Sequence, residues 1–106
     1  MIIGARKLKN SINKLNPNME FHLKDIRING VHKGASGFIV NPVNGNVVYV
    51  TTEEPCLSNL HYMYRYADSI KDYTGYRNRW ADTLEQLVLN IHKLLINNKN
   101  KKDFKF

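Results

Sequence analysis

Apolar residues recur along this chain with two different periods, and the changes between them divide it into elements. Ala5, Leu8, Ile12 and Leu15 form one stripe of an α-helix, with Arg6, Lys7, Lys9, Asn10, Asn13 and Lys14 on the other faces. Asn16 and Pro17 stop the pattern, since proline disfavours helical geometry in the residue before it. The spacing predicts an amphipathic helix over about 4–15. Met19, Phe21 and Leu23 then alternate with polar residues, and the parity flips across Lys24 and Asp25 before Ile26 and Ile28. That is the signature of two short strands or of one strand with a bulge. Gly30, Gly34 and Gly37 mark residues 29–37 as a loop or an irregular edge. Phe38–Val40 and Val47–Thr52 are β-branched or aromatic runs on either side of Asn44 and Gly45, a hairpin turn signal.

The second half reads as helical. Residues 57–70 fit two patterns: Leu57, Leu60, Tyr64, Ala67 and Ile70 form a helical stripe, whereas Leu60, Tyr62, Tyr64 and Tyr66 alternate as in a strand. Helix is preferred because its pattern runs past Tyr66 to Ile70. Trp80, Leu84, Leu87, Val88, Ile91, Leu94 and Leu95 give a further helix, with Asp82 and Glu85 spaced as a capping box. The expected fold is therefore a small two-layer α+β domain. It has an N-terminal helix, an antiparallel three-stranded sheet and C-terminal helices over residues 1–98, followed by a flexible basic tail, 99–106.

Charge changes this picture. The formal net charge of the 106-residue chain is +7, and all of it lies at the two ends. Arg6, Lys7, Lys9 and Lys14 face no acid within residues 1–18, and Lys99, Lys101, Lys102 and Lys105 face only Asp103 at the other end. A neutral body with basic ends implies an acidic partner, either nucleic acid or an acidic protein surface. The single Cys56 excludes an internal disulfide and fits a cytoplasmic protein. No apolar run is long enough for a membrane span.

Catalytic chemistry finds little support. His22, His32, His61, His92 and Cys56 form no metal-ligand spacing, so no metal or cofactor is expected. Glu53 and Glu54 disfavour a Cys56 thiolate, and Asp68 and Asp72 have Arg65, Lys71 and Arg77 nearby as ordinary pairing partners. Gly30 to Gly37 lacks the spacing of a phosphate loop and leads into a strand instead of a helix. The chain is read as a non-enzymatic binder. Its most suggestive segment interleaves Tyr62, Tyr64, Tyr66, Tyr73, Tyr76 and Trp80 with Arg65, Arg77 and Arg79. Rings beside guanidinium groups suit both single-stranded nucleic acid and protein hot spots. Tyr64 and Trp80 are expected to fill the core, leaving Tyr73, Tyr76, Arg77 and Arg79 around a glycine turn as the site.

The Asn- and Lys-rich end 97–102, the hairpin from Gly37 to Val50 and the run Tyr64 to Ala67 give the chain a family style. In these it resembles small accessory proteins of phages and mobile elements of Gram-positive, staphylococcal-type bacteria. The resemblance implies a replication accessory, a DNA-binding factor, or an inhibitor of host or defence enzymes. It carries no residue roles.

Overall fold

The computed structural model describes residues 3–53, 62–73 and 77–97. Leu8 and Ile12 are fully buried, as their spacing predicts, on a helix α1 that spans Ala5–Leu15. Five strands follow: β1 (Glu20–Ile28), β2 (Val31–Val40), β3 (Val47–Thr51), β4 (Tyr62–Ala67) and β5 (Arg79–Ala81). Helix α2 (Leu84–Ile96) completes the order. All neighbouring strands pair antiparallel, and the sheet runs β1-β2-β3-β4-β5. α1 lies over β1 and β2, α2 lies over β3 to β5, and the helices touch each other.

The α+β class and the antiparallel sheet stand, but three strands become five. β1 is one strand with a register shift between Ile26 and Arg27, where the apolar parity flips. Residues 29–37 are not a loop. Asn29 and Gly30, at φ 53° and 79°, make a two-residue hairpin turn, and β2 begins at Val31. Gly37 sits inside β2 because the β1 backbone leaves it no room: a Cβ there would lie 2.0 Å from the His22 carbonyl oxygen, at φ 148°. The helical reading of 57–70 is overturned for 62–67, which is β4. Trp80 belongs to β5, so the last helix starts later than its stripe suggested. Its cap is Thr83, whose hydroxyl accepts from the Gln86 amide at 3.1 Å, one residue along from the expected Asp82 and Glu85 pair.

The main core lies between the sheet and the helices, where Ile39, Val48, Val50 and Tyr64 meet Leu8, Ile12, Leu87, Ile91 and Leu95. The opposite face carries a smaller cluster of Phe38, Val47 and Ala67 with Val40 and Tyr49 against it. Residues 68–73 are strapped over that outer face. Arg65, only 2% exposed, donates to the carbonyls of Tyr66 at 3.1 Å and Asp72 at 2.7 Å, and its guanidinium lies 4.7 Å from the Tyr49 ring centroid. Asp72 completes the strap: its carboxylate is 3.6 Å from Arg65 and accepts from the Asp68 amide at 2.9 Å.

Candidate binding surface

Helix α1 builds the most strongly charged described surface. Leu8 and Ile12 of its stripe are sunk in the core, while Leu15 at its end is exposed, and Arg6, Lys7, Lys9, Asn10, Asn13 and Lys14 project to solvent over the opposite arc. From Arg6 to Lys14 the cations extend about 12 Å along the axis. The helix is held rigidly where it starts. Gly4 offers no side chain to cap it. Asp25 of β1 takes that role, its Oδ1 accepting from the Ala5 amide at 2.8 Å. Nε2 of His32 lies 3.3 Å from the same oxygen and 3.1 Å from the Gly34 carbonyl, so that nitrogen carries a hydrogen. The Ala5 hydrogen bond holds the Asp25 carboxyl below the ordinary carboxylate range. Partial desolvation opposes this, and the charge and hydrogen bond of His32 add to it. Thr52 adds a third tie, donating to the Ile3 carbonyl at 2.7 Å while accepting from the Ala35 amide at 3.0 Å.

Two concavities flank the exposed arc. One, of about 410 Å³, lies between Ala5, Arg6, Lys9 and Asn10 of α1 and the half-buried side chains of Phe21 and Leu23. Lys9 Nζ stands 5.7 Å from the Phe21 centroid. The other, of about 480 Å³, lies along Lys7, Ser11 and Lys14 and reaches Asp25 and His32 at the helix start. Both are open to solvent, with room for a charged chain.

The structure separates the residues that the sequence suggested would act together. Arg6, Lys7, Lys9 and Lys14 are on one arc of α1. Arg65 is interior, which corrects the expectation that its guanidinium faces a partner. Its role is to hold the strap. Tyr73 is 63% exposed but leans its ring edge on Phe38 and Tyr49, with centroids 5.1 and 6.2 Å away. Arg77 is exposed at a positive φ of 69°, and Arg79 is half-buried with its guanidinium 5.4 Å from the Tyr66 centroid. Trp80 is 52% exposed, against the expectation that it fills the core, whereas Tyr64 is buried as expected. Tyr76, Lys99, Lys101 and Lys102 lie outside the described residues. Phe21 and Leu23 were legible as strand residues, but their place beside α1 was not.

Among the described residues no three His, Cys, Asp or Glu side chains gather as a metal site, and no helix is long and apolar enough to cross a membrane. The fold and surface define a two-layer α+β domain with a cationic helix on one side. Comparison with protein-family models, curated proteins and solved structures gave no match.

Proposed function

We propose that this chain is a non-enzymatic accessory protein that binds a polyanion through the exposed arc of α1, with nucleic acid or a nucleic-acid-processing complex as the partner. The resemblance noted above supports a phage or mobile element as its setting. One observation carries the reading: four cations stand on a helix whose start is tied down by Asp25 and Thr52, and Asp25, the acid beside them, is already engaged by the Ala5 amide and His32. A prepositioned row of charges loses little entropy on meeting phosphates.

The test is a titration of duplex and single-stranded DNA and RNA by fluorescence anisotropy. Four phosphate contacts on duplex DNA give a log–log salt slope of about −3.6, so binding weakens roughly 150-fold between about 50 and 200 mM salt. Changing Lys7 and Lys14 together to Glu should flatten that slope by about two. Absence of binding at the lower salt refutes the reading. A second reading, a protein-binding modulator, draws on the exposure of Trp80 on β5 and of Tyr73, which lies over Phe38 and Tyr49 on the sheet's outer face. It predicts that W80A with Y73A loses a co-purifying partner while leaving the salt slope unchanged.

A further inference from the structure

The concavity beside Phe21 runs along a free sheet edge. α1 covers β1 and β2 while α2 covers the other three strands, so the side of α1 facing away from α2 overlooks β1. Among the described residues β1 pairs only with β2, and no strand lies beyond it. The bulge at Ile26 and Arg27 disrupts one end, but Glu20 to Asp25 pair with Val40 to Ala35 in unbroken register. Those six residues offer about 20 Å of regular edge. Every second residue there turns its N–H and C=O outward.

We propose that this edge takes an extended acidic segment of a partner protein as a sixth strand. Three features of the edge select that occupant. A strand places alternate side chains on the helix side, where they meet the apolar floor of Phe21 and Leu23 and the cationic wall of Arg6 and Lys9. Carboxylates at those positions complement the wall, and among the described residues no acid lines that concavity. The edge also presents donors and acceptors alternately. A peptide answers both, whereas a phosphate chain only accepts and would set its oxygens against the outward carbonyls. This inference goes beyond the nucleic-acid reading, because it uses the β1 backbone and only one flank of α1.

The probe is a fluorescent peptide of alternating Glu and Val, about eight residues long at roughly 3.3 Å each. It is compared with versions N-methylated at every second residue in both phases. Binding is read by anisotropy, and the site by amide hydrogen exchange of the full chain. The peptide is expected to bind and to slow exchange within Glu20–Asp25. One N-methyl phase, and R6E with K9E, should each weaken it by about tenfold or more. Arg6 and Lys9 are exposed, so that variant keeps its far-UV circular dichroism. The proposal is overturned by no binding at about 1 mM peptide, or by equal affinity of both N-methylated forms. Protection of Glu20–Asp25 by oligothymidine but not by the peptide overturns it as well. The salt slope on duplex DNA is read separately with the K7E and K14E chain, so either reading can fail alone.

Discussion

Replacing Asn46 tests how the sheet holds α2. The last carbonyls of a helix lack intrahelical donors, and here the β2–β3 loop supplies them. Asn46, only 5% exposed, donates to the carbonyls of Leu94 at 3.1 Å, Leu95 at 3.2 Å and Asn97 at 2.7 Å. Asn41 and Asn44 each add a bond to Leu95, and the Tyr66 hydroxyl adds one to Leu94, all at 2.9 Å. N46A removes two hydrogens' worth of bonding, but Leu94 and Leu95 keep other donors. The loss is therefore about 2 kcal/mol, near the ordinary value for two bonds. In a chain of this size that lowers Tm by about 10 °C in a circular dichroism melt. N46D is worse, because a buried carboxylate then faces three carbonyls at the negative end of the helix, and about 3–5 kcal/mol is expected. The carboxyl that N46D introduces would have a folded pKa above its unfolded one. The excess loss is therefore present at pH 7 and shrinks as pH falls toward about 4. Equal melting of N46D and N46A at pH 7, or a deficit that grows with acid, would refute the clamp.

Three further outcomes follow from the same structure. R65A removes the buried guanidinium that ties the strap through the Tyr66 and Asp72 carbonyls and stands beside the Asp72 carboxylate, and should cost about 3–5 kcal/mol in a denaturant titration. R65K keeps the charge but not the forked geometry, so a melt matching the parent would show that the fork does not matter. G37A forces a Cβ onto the His22 carbonyl at a φ that side chains resist, and should abolish folding, read as loss of soluble protein and of sheet dichroism. D25N removes a carboxylate whose folded pKa is depressed. Its contribution is present above the ordinary value of 3.8 and lost as pH falls through the folded pKa, so the parent should lose more stability than D25N below about pH 4. Parallel pH–stability curves for the two would remove Asp25 as the cap of α1.

What could be read from the chain depended on whether a residue's environment was set locally. The α1 stripe, the α2 stripe and the Asn44–Gly45 hairpin were legible because one helix face or one turn decides them. β4 was hidden because both of its faces are covered: Tyr64 packs against the helices and Arg65 lies under the strap. The alternation of Tyr62, Tyr64 and Tyr66 was visible, but Ala67 and Ile70 extended a helical stripe through the same residues, and the longer pattern was preferred. Gly34 and Gly37 signalled a loop because glycine weakens strands in general. Here close approach of neighbouring backbones overrides that propensity. The free edge beside Phe21 was not legible at all, since strand order is a tertiary property.

The separation of charge from aromatic surface changes how recognition must work in this chain. The cations of α1 border β1, whereas Trp80 sits on β5, four strand spacings or about 19 Å across the sheet. Trp80 pairs with Met63 and so shares the outer face of Met63 and Arg65, turned away from both helices. A single small partner cannot touch both without wrapping the sheet. A polyanion on α1 therefore leaves Trp80 and Tyr73 open, and a protein seated on the outer face leaves the α1 charges open. Substitutions at the two places share no partner, and their effects on binding should add. Strong coupling between them would mean one ligand that reaches from α1 round the sheet to β5.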